Sequence, residues 1–299
     1  MIVPLRHLIF VPIGIREALG SEYLVTHMRG NQLTTAQAKG TAPSVRSWRW
    51  IATLLALTQL AAPVIANAVA PDFLKAGATN QALITPAGYA FSLWGLITAL
   101  SAATALAVLR YGLGSWWETS VLVDASVAFI GFSVWLLVAA QDWLWVSVAV
   151  FAVMVSALIH IMRLLVRRRH DLTCPPWVAL LATVTFGLYL GWSSIAVFAN
   201  IAAALIQNGV SASTAWWQFV VLAAASVCAL ILTTMLRGTP GYAAGVVWAL
   251  VAIAIGAAGR DSTFLSVTAV VATVLIVIAT VAAVLRHGGH RAHPTHSSE

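Results

Sequence analysis

The sequence predicts an all-α, polytopic membrane protein with about eight transmembrane helices, and three observations carry this prediction. The 299 residues include only 16 Lys+Arg and 9 Asp+Glu, whereas a soluble chain of this length carries roughly 75 charged residues. Hydrophobic residues make up 61% of the chain, and its mean hydropathy is +0.91. The apolar residues also form long continuous runs. Because so few charges cannot cover a soluble surface, the composition excludes an ordinary cytosolic enzyme, a disordered protein and a secreted disulfide scaffold.

Eight apolar runs supply the predicted spans, since a helix needs about 20 residues to cross the hydrocarbon core of a bilayer. They cover about 49–70, 86–109, 119–140, 143–166, 176–206, 215–236, 242–258 and 263–285. The fifth run is long for one crossing, and we expect it to tilt or to extend into the interface. Uninterrupted runs indicate helices, because the strands of a membrane β-barrel alternate apolar and polar residues.

The positive charges predict the orientation of the chain. If the N-terminus is cytoplasmic and the chain crosses eight times, every Lys and Arg except Lys75 and Arg260 lies in a cytoplasmic segment. This matches the positive-inside rule and predicts a multi-pass protein of the cell membrane with both termini in the cytoplasm. The net charge of +7 then follows from topology, and we expect no nucleic acid among the partners.

Tryptophan positions agree with these spans. Nine of the 13 tryptophans fall at predicted span ends, as expected for the aromatic belts at the two membrane surfaces. The other four lie inside spans, where a belt does not account for them: Trp94, Trp135, Trp192 and Trp248.

Both ends of the chain are polar. Residues 1–47 are predicted to be a disordered cytoplasmic segment, and 1–27 are hypothesised to precede the true start at Met28. The tail, 286–299, carries a histidine at every third position from His287 to His296. Imidazoles bind Zn, Ni or Cu, but a disordered tail accounts for the same residues, and no metal site is predicted.

Asp124 and His160 are ionisable residues within predicted spans, where a charge is costly and often functional. Asp124 is near the predicted cytoplasmic start of the third span, and His160 is near the cytoplasmic end of the fourth. The very short link Gln141–Asp142 makes these spans antiparallel neighbours, so the two side chains are placed to pair. The pair fits either a proton relay or an interfacial ion pair that reaches the water by snorkelling.

Polar and aromatic residues gather in the predicted outer half of the bilayer. Asn67 is near the outer end of the first span, and Asn200 is near the outer end of the fifth. Phe91 and Trp94 are in the outer part of the second span, just after Thr85 and Pro86. These groups could line a cavity for a flat, partly apolar ligand. Hydrogen bonding between packed helices explains them equally well.

Two segments carry a recognisable pattern: Thr85–Leu96, which reads TPAGYAFSLWGL, and Phe186–Asn200, which reads FGLYLGWSSIAVFAN. In the second, Tyr189, Trp192, Ala196 and Asn200 recur at helical spacing and share one face. The pattern resembles the tryptophan-rich sensory protein family, also called the TspO/translocator-protein family. The resemblance covers a five-helix membrane core at 48–208. The three additional helices, 209–285, resemble an extended bacterial branch of that family.

The resemblance implies an integral membrane protein that binds a tetrapyrrole, such as a porphyrin or haem, or a sterol-like molecule, for sensing or transport. It assigns the ligand pocket to Trp94, Tyr189, Trp192 and Asn200; Phe91 and Asn67 join them by predicted depth. The partners expected are the lipid bilayer and this hydrophobic small molecule, and a second copy of the chain in a homodimer is left open.

Two further functional classes stand beside ligand binding: a transporter and an enzyme. The alternative is a proton-coupled secondary transporter of a small solute that uses Asp124 and His160. An enzyme is not expected, because the sequence contains no HExxH, GxSxG or Walker A motif and no cluster of carboxylates.

Overall fold

Eight α-helices make up the computed structural model, which describes residues 44–69 and 82–289, with side chains described to residue 63 and from 82 to 287. The helices are α1 Val45–Val69, α2 Leu93–Tyr111, α3 Glu118–Ala140, α4 Leu144–Arg167, α5 Pro176–Gln207, α6 Ala215–Met235, α7 Pro240–Ala258 and α8 Thr263–Gly289. Short 3₁₀ turns lie at Gly88–Ser92 and Arg169–Asp171. No strand occurs in these ranges, so the predicted all-α membrane fold is confirmed.

The helices agree with the predicted spans to within a few residues. From α2 onward, seven of the described helices are long and apolar enough to cross a membrane, and α1 occupies the predicted first span. The second span begins with the 3₁₀ turn at Gly88, and its α-helix starts only at Leu93. α8 continues to Gly289, so the predicted tail begins as helix; the rest of the tail and residues 1–43 lie outside the described residues.

The first five helices form a closed ring. α1 packs against α2 and α3, α3 against α4, α4 against α5, and α5 against α2. The order around the ring is therefore α1, α2, α5, α4, α3, so α2 and α3 are consecutive in the chain without being neighbours. Their connection passes the start of α1 and turns through Gly112 and Gly114, whose φ angles are 70° and 69°.

The last three helices form a second layer against α5. α7 packs on α5 and α8, and α6 packs on α8 and α5. The α5–α7 contact is close because glycines face glycines: Gly187 and Gly191 lie against Gly241 and Gly245. Small residues four apart let membrane helices approach through their backbones. The additional helices are thus packed directly onto the ring.

Arginines mark one end of the molecule. Of the arginines in the described ranges, all except Arg260 lie where α1, α3, α5 and α7 begin and α2, α4, α6 and α8 end, which we call the basic end. They are Arg46, Arg49, Arg110, Arg163, Arg167, Arg168, Arg169, Arg237 and Arg286. This distribution agrees with the charge asymmetry on which the topology prediction rests.

A buried carboxylate joins three segments at the basic end. Glu118 Oε1 accepts a hydrogen bond from Arg49 Nε at 2.6 Å, and its Oε2 accepts one from Arg49 Nη2 at 3.1 Å. The same Oε2 accepts the backbone N–H groups of Leu113 and Gly114, each at 3.0 Å. Only 3% of the Glu118 side chain is exposed. Because a buried charge is tolerated only when its partners satisfy it, this junction fixes α1 to the connection between α2 and α3.

Candidate functional site: an aromatic cluster inside the five-helix ring

Six aromatic side chains fill the middle of the ring and form what we call the aromatic cluster. They are Trp94, Phe132, Trp135, Phe151, Tyr189 and Trp192. The ring of Trp94 is central, because its centroid lies 4.8 to 6.5 Å from those of the other five. Such edge-to-face and offset contacts contribute about 0.5–1.5 kcal/mol per pair beyond burial.

Local sequence explains how four helices supply these rings. Phe132 and Trp135 are three residues apart on α3, and Tyr189 and Trp192 are three apart on α5, so each pair projects from one helix face. Trp94 is at the start of α2, directly after the 3₁₀ turn. These five side chains are all nearly or fully buried. The faces of α3 and α5 that carry the two pairs therefore point into the interior of the five-helix bundle.

Tyr189 is held at the centre of the bundle by two hydrogen bonds. Its hydroxyl accepts a bond from Gln59 Nε2 at 3.1 Å and donates one to the carbonyl oxygen of Ala128 at 3.2 Å. Both Tyr189 and Gln59 are fully buried. The phenol therefore connects α1, α3 and α5, and its orientation in the cluster is fixed.

Several polar atoms around the cluster have no partner. The indole nitrogens of Trp135 and Trp192, together with Gln59 Oε1, are buried without a hydrogen bond in the described part of the chain. Such groups are rare in native proteins, and each costs about 1–3 kcal/mol. The cluster therefore presents two unused N–H donors among aromatic surfaces, a combination suited to a flat ligand with hydrogen-bond acceptors.

Phe91 forms the rim of the cluster. Its ring meets that of Trp192 edge-to-face, with the centroids 5.9 Å apart, and 44% of the residue is exposed. Phe91 thus covers one edge of the buried indole and is itself reached from outside the bundle.

The second layer holds the rim in place. Trp248 Nε1, on α7, donates to the carbonyl oxygen of Ala90 at 3.1 Å, and Arg260 Nη1 donates to that of Thr85 at 2.9 Å. These two bonds clamp the segment that carries Phe91. Trp248, which the sequence left unexplained inside a span, therefore positions the rim.

Asn200 lies apart from the rings. Its Oδ1 accepts a bond from Ser147 Oγ at 2.7 Å, and its Nδ2 donates to the carbonyl oxygen of Ala196 at 2.9 Å. It follows Trp192 by eight residues, about 12 Å along α5. Its amide thus joins α4 to α5, which is the helix-packing alternative considered for the polar residues of the outer half. Asn67, also predicted at the pocket, lies in α1 where side chains are not described.

The cluster is therefore only partly the set that the sequence predicts. Trp94, Tyr189 and Trp192 meet, and Phe91 joins them at the rim. The sequence does not predict Phe132 and Phe151 at the site, because an aromatic residue inside a span gives the same pattern whether it faces lipid or a neighbouring helix. One feature of the sequence did set Trp135 apart: it lies inside a span, away from both predicted aromatic belts.

Asp124 and His160 contact each other on the outer face of the ring. His160 Nδ1 lies 2.5 Å from Asp124 Oδ2, and 54% of the His160 side chain is exposed. The pair therefore faces the surroundings of the bundle and not the aromatic cluster. Within the residues that the structure describes, no three His, Cys, Asp or Glu side chains group closely enough to hold a metal ion.

Comparison with known proteins gives one family. The model of a family described as TSPO-like protein matches residues 48–282. This range contains nearly all of α1, all of α2 to α7 and most of α8. No curated protein and no solved structure matched the chain.

Proposed function

Since the chain belongs to the family of TSPO-like proteins and is a helical multi-pass membrane protein, we propose that it binds a flat, apolar ligand at the aromatic cluster, for sensing or transport. The observation that carries the proposal is the pair of buried indole N–H groups, Trp135 and Trp192, which have no partner in the described residues. A tetrapyrrole or a sterol-like molecule would supply apolar surface to the rings and an acceptor oxygen or nitrogen to these donors.

The donor set favours a porphyrin without metal over haem. Haem iron is held by an imidazole, a thiolate, a thioether or a tyrosine oxygen. The six rings include one such group, the Tyr189 hydroxyl, and it is already engaged by Gln59 and Ala128. Porphyrin carboxylates would stay near water at the rim, because the rings supply no positive charge. Protoporphyrin is therefore the first ligand to test.

Entry of such a ligand requires a ring to move. Trp94 and Trp192 are 7% and 2% exposed, and their rings are in contact. Phe91 is the half-exposed ring against Trp192, so displacement of Phe91 would uncover the buried indole. We propose that ligands enter at this rim.

The proposed location is the cell membrane, with the basic end and both termini in the cytoplasm. The proposal is supported by the placement of every described arginine except Arg260 at the basic end and by the positive-inside rule. Under this orientation, the rim at Phe91 lies toward the outer end of the bundle.

Titration of protoporphyrin into the detergent-solubilised full chain tests the site. We expect tryptophan quenching and a shift of the porphyrin Soret band at micromolar concentration, and we expect both to be lost in the double variant Trp94→Ala, Trp192→Ala. Trp192→Phe keeps an aromatic ring and removes only the N–H donor. Because one hydrogen bond contributes about 1 kcal/mol, this variant should bind roughly five-fold more weakly.

Trp216→Phe is the matched control, because Trp216 is 69% exposed at the start of α6. It should bind porphyrin as the wild type does, with the Soret shift as the readout that does not depend on the number of tryptophans. No quenching of the wild type at micromolar porphyrin would contradict the tetrapyrrole proposal. If Trp192→Phe and the wild type bind porphyrin with equal affinity, the Trp192 N–H does not bond to the ligand.

The contact between His160 and Asp124 supports a second candidate, proton-coupled transport of a small solute. A carboxylate in contact with an imidazole can pass a proton to it and take one back. For this candidate we expect pH-dependent uptake into proteoliposomes that Asp124→Asn abolishes and Ser156→Ala, a change on the same exposed face of α4, leaves intact. Uptake that is unchanged in Asp124→Asn would remove this pair from any transport mechanism.

A further inference from the structure

A groove between α1 and α2 opens at the basic end of the bundle. Its volume is about 410 Å³, and it is lined by Arg46, Arg49, Trp50, Leu106, Leu109 and Arg110. Arginines line one end of the groove, and apolar side chains line the rest of it. The groove lies far from the aromatic cluster along the helix axes.

The charged end of the groove has surplus positive charge. Glu118 engages Nε and Nη2 of Arg49, which fixes that guanidinium. Arg46 and Arg110 are exposed, and among the described residues neither forms an ion pair with a carboxylate. Arg110 lies over the ring of Tyr111, 5.3 Å from its centroid. Within the described residues, two guanidinium groups thus lie at the groove without a counter-charge.

The apolar part of the groove points along the membrane-crossing direction. On α1, Trp50 and Leu54 follow Arg46 at intervals of four residues, and on α2, Leu106 precedes Arg110 by four, so each set lies on one helix face. Trp50, Leu54 and Leu106 are each at least half exposed. Since α1 begins where α2 ends, both stripes run in the same direction from arginine to apolar side chains.

We propose that this groove seats an anionic phospholipid, with its phosphate between Arg46 and Arg110 and one acyl chain along Leu54 and Leu106. Arginine holds phosphate oxygens through paired N–H donors, and Trp50 is of the type that sits at headgroup level. A free phosphate would satisfy the guanidinium groups alone. The exposed apolar stripe that continues from them is the reason to assign a lipid.

Lipid titration followed by native mass spectrometry tests this assignment on the full chain in neutral detergent. Phosphatidylglycerol should bind more tightly than phosphatidylcholine. In the double variant Arg46→Gln, Arg110→Gln, we expect about 30-fold weaker binding of phosphatidylglycerol, because each arginine near an anionic surface contributes roughly a five-fold factor. The matched control, Arg163→Gln with Arg167→Gln, removes the same charge from exposed positions at the same end and should change binding by less than about three-fold.

A second measurement does not depend on the variants. A photoactivatable phosphatidylglycerol should label wild-type peptides covering 46–54 and 103–110 more strongly than those covering 163–169. Equal binding of the two lipids, equal losses in the two double variants, or labelling concentrated at 163–169 would each overturn the proposal. Inorganic phosphate that displaces the lipid at millimolar concentration would show a free-anion site and would overturn the assignment to a lipid.

Discussion

Gly245→Ala is expected to destabilise the protein by about 2 kcal/mol. A Cβ at this position would lie 2.6 Å from the carbonyl oxygen of Leu188, 2.8 Å from the backbone nitrogen of Trp192 and 3.0 Å from Gly191 Cα. All three atoms belong to the α5 backbone, which cannot move as a flexible side chain does. Overpacking of this kind costs about 1–3 kcal/mol, so we place this change at the upper end and subtract up to about 1 kcal/mol for the better helix propensity of alanine.

Gly95→Ala is the matched control, because a Cβ on that helical glycine would meet nothing within 4 Å. It should leave the apparent Tm in detergent unchanged or slightly raised, whereas Gly245→Ala should lower it by several degrees. If both variants melt together, α5 and α7 do not pack through their backbones. A drop in porphyrin binding by Gly245→Ala would further show that α7 supports the helix that carries Tyr189 and Trp192.

Glu118→Ala is expected to lower the free energy of unfolding by about 3 kcal/mol. The change leaves the Arg49 guanidinium without its counter-charge and the N–H groups of Leu113 and Gly114 without their side-chain acceptor. Removal of one partner of a buried ion pair costs about 3–5 kcal/mol. The Arg49 side chain is 25% exposed, so the loss should fall at the lower end of that range. The free energy of unfolding in mixed micelles measures the effect.

A double-mutant cycle with Arg49→Ala separates the pair from its surroundings. The double variant should be less destabilised than the sum of the two single variants, since no unpaired charge remains. Asp171→Ala is the control at the same end of the bundle. The Asp171 carboxylate accepts a hydrogen bond from Trp117 Nε1 at 3.2 Å, and it is more exposed than the Glu118 carboxylate. A loss for Glu118→Ala no larger than for Asp171→Ala would contradict the role of the junction.

The second layer gives the ring a support that a five-helix bundle alone does not have. α7 contacts the backbone of α5 through Gly241 and Gly245, and its Trp248 holds the rim segment at Ala90. Two parts of the proposed ligand site, the helix behind it and the rim in front of it, are therefore positioned by the same helix. The matched family range, which continues to residue 282, includes this helix.

Some residues of the aromatic cluster could be predicted from the sequence, and others could not. Trp192 could be predicted as a pocket residue from its helical spacing with Tyr189, since periodicity gives the face of a helix. Phe151 could not, because its contact with Trp94 depends on how two helices distant in the chain are rotated. The Gln59–Tyr189 hydrogen bond likewise joins residues 130 positions apart, and neither local pattern specifies the other.

The sequence alone determines the class of this protein, the approximate bounds of the helices in the described residues, and the asymmetry of its charges. These properties follow from transfer of each segment between water and lipid, which depends on local composition. The tertiary structure decides the ring order, the backbone contact of α5 with α7, and the meeting of six rings around Trp94. These depend on packing between distant segments, because in a membrane any apolar face can rest equally well against lipid or against another helix.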